Sequence, residues 1–540
     1  MTVPAQQHLQ ISAYNPGLRP ITPESIQAEK AAEDAWFFHL RALASDDLNG
    51  RKTGTSDFIH AVEYVESQFK AIGLKPAGVE GYRQQVGFRS VAVDTEHSSL
   101  QIVGANGQVR SLKIGGEATL SPNSEGASVV EAQAIFAGHG LVVPALGIDD
   151  FKGLDLHGKI AVILAGGPPA IHGPLKAYYR TAPIRWHALK AAGAVGLITI
   201  PEPRQPQGGP QRGGGAGFGA DRPIDQLADP ELNPLQGARV NVTLPIASAG
   251  RFFAGSPHTI EELQALANAG QPLPSFPLTA AVRATTTTQV VTTYQAPNVI
   301  GLLEGSDPKL KHEYLLLNAH LDHLGVGRPV DGDSIYNGAM DNVSGIASLI
   351  ETAKALASGT HPKRSVVFIA FTGEEEGELG SQFYAHYPTV PRSQVIADLN
   401  MDMYLPLFPL HFLEVQGLGE STLGNDARAA AQLNDMEVQF DKQPDENRFI
   451  RSDQASFVKY GIPALAFKFG WLPDTPEQKT FNDWIRNRYH RPSDDLNQPI
   501  DREAAVHFDR LLLTLVTRVA NAPTKPAWYP ESFFSTIPRR

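Results

Sequence analysis

Five stretches of this 540-residue chain carry histidines or carboxylates beside apolar runs. Leu315-Leu316-Leu317 leads into Asn318-Ala319-His320-Leu321-Asp322-His323, and Val366 to Phe371 leads into Thr372-Gly373-Glu374-Glu375-Glu376. Ala397-Asp398-Leu399-Asn400-Met401-Asp402 sets Asp402 in an otherwise apolar segment, an expensive place for an unpaired carboxylate. Met340-Asp341-Asn342 precedes a helical stripe of Ile346, Leu349, Ile350, Ala353 and Leu356, and Tyr489-His490 lies in a late loop closed by Pro492. Taken singly, most have plain readings. His320 fits a hydrogen-bonded strand end, Asp341 or Asn342 a helix cap, the glutamates a complement to a helix dipole, and His490 a loop residue.

Taken together they form a constellation of two histidines and three carboxylates. Carboxylates crowded at the end of a buried strand repel one another unless a cation compensates them. Imidazole and oxygen donors without thiolate suit zinc, with manganese or cobalt as substitutes, and five ligands with one shared carboxylate suffice for two ions. Such a pair polarises a carbonyl and stabilises a tetrahedral intermediate, which is the chemistry of amide hydrolysis. Asp322, two residues beyond His320, is placed to orient that imidazole. Asn342-Val343-Ser344 also matches a glycosylation sequon, but a sugar there would block the site.

The elements that must position these residues alternate: Tyr314 to Ala319, Val343 to Ala357, Val366 to Phe371, Ser381 to His386, Val395 to Met403. Alternation predicts a mostly parallel sheet with helices on both faces and a site at the carboxyl ends of its strands. Upstream, Thr22-Pro23-Glu24 marks a helix start and Gly73 a helix end. Gln84 to Val93 and Ser98 to Val103 read as strands. Lys159 to Leu164 and Val195 to Ile200 are strand-length apolar runs flanking a helix over Ile184 to Ala192, in a region of separate composition. The organisation expected is a first catalytic segment over 1–124, an insertion over 125–275 and the main catalytic segment over 276–540. Gly208 to Gly219 lacks a following Gly-Lys-Ser/Thr and reads as a surface loop rather than a phosphate cradle.

The hydrophobic share of 42% and charged share of 19% are those of a globular chain. A net charge of −11 without a long basic run argues against nucleic acid or anionic membrane as partners. The apolar runs fall well short of the about 20 residues that span a bilayer. Cysteine is absent, which removes thiolate nucleophiles and disulfides. Met1 to Gln10 lacks the basic and apolar regions of a secretory signal.

The motifs between residues 314 and 495, in their order, resemble those of the M28 metallopeptidases, di-zinc aminopeptidases and carboxypeptidases. That resemblance implies a three-layer α/β/α aminopeptidase/phosphorylase-like domain acting on peptides. It implies His320 and Asp402 on one zinc, Glu375 and His490 on the other, and Asp341 between them. Glu374 matches the family's general base for a metal-bridging water. Tyr489 aligns with a tyrosine that stabilises the oxyanion in some members, and Arg451 falls in a segment resembling one that lines the substrate pocket. Gln454 stands where the family commonly has His. The insertion looks like a β-rich protease-associated (PA) domain. An aminopeptidase is expected, because carboxylates such as Glu374 and Asp402 can hold a free amine; an M28-type carboxypeptidase or dipeptidase is the alternative, using Arg448, Arg451, Arg486, Arg488 or Arg491 for a terminal carboxylate. Glutaminyl cyclases share the scaffold with a single zinc, but their aspartate is typically followed by Ser rather than Asn342. Relatives with this layout are usually exported, which implies a periplasmic or secreted location, with a cytoplasmic one as the alternative.

Overall fold

In the computed structural model, residues 23–539 are described except for 125–128, 169–170, 172–174, 176–177, 180, 202–222 and 445–447. The Gly-rich run at 208–219 and Thr22 lie outside the described residues.

Among the described residues, ten strands form the larger sheet. Its centre is four parallel strands in the order Ser365–Phe371, Tyr314–His320, Val395–Asn400, Ala464–Phe469. These segments are buried at nearly every position and mostly apolar, because both faces of the sheet are covered. Alternate side chains of a strand point to opposite faces, and here they divide between two cores. Leu315, Leu317, Val366 and Phe368 join one core with the helices Pro23–Leu43, Ser56–Ile72, Ser344–Ser358 and Arg502–Asn521. Leu316, Val367, Ile369 and Phe371 join the other, with Tyr384 of Leu379–His386 and Phe457 of Gln454–Val458. The layering is therefore α/β/α. Each fully buried Leu, Val or Phe contributes about 1.5–3 kcal/mol, so this frame can hold strand ends that carry charge.

On one side, Thr288–Leu303 and Arg83–Val93 continue the sheet antiparallel; on the other, Phe412–Gln416 and Glu437–Gln439 complete it. A second sheet, of eight strands among the described residues, draws them from between Ser99 and Thr285, and its parallel centre includes Ile160–Leu164 and Gly196–Ile200. Ser99–Val103 pairs with Ser275–Thr285, a partner 180 residues away that composition does not reveal, so this sheet starts ahead of residue 125. Ile224–Leu227, inside the expected insertion, instead pairs with Arg83–Val93 at the edge of the larger sheet, Leu227 opposite Phe88. No helix among the described residues is long and apolar enough to cross a membrane.

One polar knot ties the large helical layer together. Trp36 Nε1 donates to Ser348 Oγ at 3.2 Å, and Ser348 Oγ lies 2.9 Å from the Tyr404 hydroxyl. Asp509 faces the same knot, where burial pushes its carboxyl up to about 8 against the Ser348 hydroxyl, with Glu351 adding to the rise. The folded state thus keeps a proton that the unfolded chain releases near 3.8. Stability falls as pH rises through that window and then levels off. Asp509→Asn should therefore gain on the parent protein by roughly 2–5 kcal/mol at pH 9 and by little at pH 4; denaturant titrations at the two pH values measure the difference, and equal gains would contradict it.

Candidate metal centre

His320 closes its strand with Nδ1 3.1 Å from the backbone carbonyl of Asp322. That contact orients the ring, as the spacing suggested, but through the main chain. The Asp322 carboxylate, 4.0 Å from Nδ1, accepts instead from the backbone N–H of Glu374 at 3.2 Å and of Glu375 at 3.3 Å. Asp322 therefore fixes the glutamate turn relative to the histidine strand. Glu374 and Glu375 follow the neighbouring Ser365–Phe371 strand, and both line the cleft. Asp402 lies two residues beyond the end of Val395–Asn400, not inside the strand as its apolar surroundings suggested. Past Asn400 the chain turns, and the Asn342 side chain holds the turn, donating to the Met401 carbonyl at 2.8 Å and accepting from the Met403 N–H at 3.2 Å.

The segment before Ser344–Ser358 is more constrained than a helix cap requires. Asn342 Oδ1 accepts from the Gly345 N–H at 3.2 Å, so Asn342 does the capping and the Asp341 carboxylate is left for other work. The Asn342 side chain is buried and bonded, which leaves no room for a glycan in the folded chain. Gly338 has φ +61, and a Cβ there would sit 2.1 Å from the Asp341 carbonyl oxygen and 2.5 Å from the His323 ring. Asp494 receives the backbone N–H groups of Met340 at 2.9 Å and Asp341 at 3.0 Å, and Gln498 braces Asp494 in turn. His490 enters from the neighbouring turn at φ +54, with Tyr489 stacked on it at 3.8 Å between ring centroids.

These elements bring all five candidate donors together. Asp341 Oδ1 lies 3.2 Å from His320 Nε2, which is 3.5 Å from Asp402 Oδ1. Asp341 Oδ2 lies 3.2 Å from His490 Nε2, itself 3.2 Å from Glu375 Oε2. One carboxylate thus faces two donor sets, one through each oxygen. His320, Asp341 and Asp402 form one group able to hold a metal ion, with donor atoms within 4.8 Å of one another; His323, Asp341 and Glu375 form a second. His320 Nε2, Asp402 Oδ1 and Glu375 Oε1 are buried without hydrogen-bond partners among the described residues. Buried donor atoms that approach one another without satisfying one another suit a cation, and N/O donors free of sulfur suit zinc.

Charge follows the same geometry. Burial would raise Glu375, but His490 and His323 beside it hold its carboxyl well below the usual range. Burial would lower His320, yet Asp341 and Asp402 raise it well above an ordinary imidazole. Protons and metal compete for such a set. Tyr489 and Arg451 line the cleft, which has a volume of about 1300 Å³. Gln454 is buried, receiving the Asn400 amide at 2.5 Å and donating to the Phe449 carbonyl at 3.0 Å, so its polar atoms are spent on the scaffold.

Three contributors were missing from the sequence reading. His323 Nδ1 stands 2.7 Å from Glu375 Oε1; its position three residues after His320 is the signal that could have found it. Arg51 is fully buried and donates to the carbonyls of Leu43, Leu321, Asn337 and Gly338. Burial draws its guanidinium down to about 10 against the pull of Asp322, Asp494, Asp341 and Glu375. Asp494, beside His490 in a run of polar residues, gave no sign of its hold on Asp341.

Residues 298–516 match the family model described as Peptidase family M28. Over 106 residues, 19% of this chain and 22% of the relative, the sequence is 37% identical to a probable zinc metalloprotease of Pyrenophora teres f. teres. Over 368 residues, 63% of this chain and 66% of the relative, it is 27% identical to the probable lipoprotein aminopeptidase LpqL of Mycobacterium tuberculosis. The chain thus spans about a fifth of the fungal relative's length and just under two thirds of the mycobacterial one's. Among solved structures it is similar to the aminopeptidase from Aneurinibacillus sp. strain AM-1, with a TM-score of 0.49 and 21% identity, covering 95% of this chain and 99% of that one. The matched segment, residues 298–516, contains every candidate donor named above and is similar to peptidase family M28.

Proposed function

We propose that the protein is a zinc-dependent exopeptidase, an aminopeptidase, that holds two zinc ions and hydrolyses the terminal bond of peptides. The observation that carries this reading is the division of Asp341 between two donor sets, His320 with Asp402 and His490 with Glu375. A single-zinc cyclase has no use for a second set. The zinc in the fungal relative's name and the aminopeptidase in the mycobacterial one's support the assignment.

Bound zinc would supply Lewis acidity toward the scissile carbonyl and toward the attacking water. The chain's own groups do the rest. Glu374, its backbone fixed by Asp322, takes the proton from the water and delivers it to the departing amine, the part of a general base that becomes a general acid. Tyr489, held against His490, serves the developing charge on the carbonyl oxygen. Asp402 and Glu374 offer negative charge to the free amine of the substrate. Arg451 contributes to the substrate-binding wall.

The unit expected over 125–275 is assigned a PA-like covering role, since its residues Tyr178 and Pro183 line the cleft together with Asp341 and Glu374. An exported form, periplasmic or secreted, is in keeping with the lipoprotein in the mycobacterial relative's name.

Glu374→Gln should retain its zinc by elemental analysis while kcat on aminoacyl nitroanilides falls by about 10²–10⁴; near-normal turnover would remove Glu374 as the base. Chelation should abolish hydrolysis and zinc should restore it, whereas metal-independent cleavage, or cleavage confined to substrates with blocked amino termini and free carboxyl ends, would defeat the aminopeptidase reading. Asp494→Ala frees the Asp341 backbone and should weaken zinc binding by about 10–100-fold in chelator competition.

A further inference from the structure

Beside the metal candidates, the cleft has a floor built by two strands. Phe412–Gln416 runs antiparallel to Ala464–Phe469, with Glu414 opposite Lys468 and Gln416 opposite Ala466. The two-residue period puts all four on one face, and Gln416, Ala466 and Lys468 line the cleft with Asp402 and Met403. Ala464–Phe469 is parallel to Val395–Asn400, so Lys468 arrives at the same end of the sheet as Asp402.

A pocket for an apolar side chain would be floored by apolar groups. Here Lys468 is 7% exposed and Gln416 is 3% exposed. Lys468 Nζ donates to the carbonyls of Asp402 at 3.2 Å and Met403 at 3.1 Å. An ammonium has three N–H groups, so one donor remains. Gln416 Nε2 and Arg448 Nη1 are buried with no hydrogen-bond partner among the described residues. Arg448 is nonetheless anchored: Nη2 donates to Gln443, and the guanidinium lies 5.7 Å from the centre of the Phe481 ring. The nearby carboxylate is Glu414, whose Oε1 is 3.8 Å from Arg448 Nη1, outside hydrogen-bond range. Buried donors left without acceptors are unfavourable, and Gln416, Arg448 and Lys468 all line this cleft. Lys468 and Arg448 are matched in charge by Glu414 and by Asp402 at the adjoining turn, so what the floor offers a ligand is unspent N–H groups rather than net charge.

We propose that this floor receives the side chain of the substrate's first residue, and that Lys468, Gln416 and Arg448 select a side chain ending in a carboxylate or carboxamide, as in glutamate or glutamine. The assignment rests on the aminopeptidase reading: an amine held at Asp402 starts the side chain beside the very turn to which Lys468 is bonded. Phe481 packs along the aliphatic stem, and the terminal oxygen meets the three donors. A leucine in the same place leaves them unpaired.

The test compares kcat/KM for glutamyl, glutaminyl and leucyl p-nitroanilides in the zinc-loaded protein, in Lys468→Met and in Gln416→Leu. Calorimetric binding of free L-glutamate, L-glutamine and L-leucine accompanies it, and zinc content is checked throughout. The parent protein should favour glutamyl or glutaminyl over leucyl substrate by at least about tenfold, and each variant should erase most of that ratio while retaining zinc. Loss of the ratio chiefly for glutamyl substrate in Lys468→Met would identify the carboxylate as the preferred end; equal loss for both would identify the carbonyl oxygen they share. A parent protein that prefers leucine, or a ratio unmoved in both variants, overturns the proposal. If no nitroanilide is cleaved but glutamate or glutamine binds better than leucine and the variants lose that difference, the aminopeptidase reading falls and the pocket stands. If the three amino acids bind alike, the pocket falls.

Discussion

Too much negative charge in too little water is the constraint around which this chain is built. Asp322, Asp341 and Asp494 are buried at one end of the sheet, and Glu375 and Asp402 are nearly so. Carboxylates in such a setting are tolerable only if each is matched by a donor or a cation. The matching is distributed. Asp322 and Asp494 are spent on backbone N–H groups, Arg51 neutralises from behind while clasping four carbonyls, and the imidazoles stand among the remaining acids. What is left is a hollow of donor atoms that face one another unsatisfied, and divalent metal is the partner that suits them.

The apolar frame makes this arrangement affordable without being part of it. Strands such as Ser365–Phe371 are buried on both sides over their whole length, so their ends stay fixed regardless of the charge they carry. Polar residues that brace the site therefore come from loops and from other elements far along the chain. Replacing Arg51 by lysine would keep the charge and lose the planar fork that reaches several carbonyls at once.

How much of this could be read from sequence depended on how local the signal was. The central strands and the helices between them were legible because apolar periodicity is written within each segment, and the strand-end placement of His320 and Glu375 followed from it. Asp402 lies in a turn whose course is set by Asn342, some sixty residues earlier, and was read as strand. His490 had meaning only through the order of the motifs. Arg51 was invisible: its carbonyl partners at Leu321, Asn337 and Gly338 lie some 270 to 290 residues away. Nor does composition disclose that Ser99–Val103 pairs with Ser275–Thr285, so that the second sheet begins ahead of residue 125.

The strand Ile224–Leu227 leaves its neighbours in sequence to lie along Arg83–Val93. As a result, the two sheets are not a scaffold and a detachable cassette. Cutting out the intervening module would strip the larger sheet of its border, baring the backbone groups of Phe88 to Val91 to any passing chain. Evolution or engineering that exchanges this module has to carry the short strand along or provide another selvedge in its place.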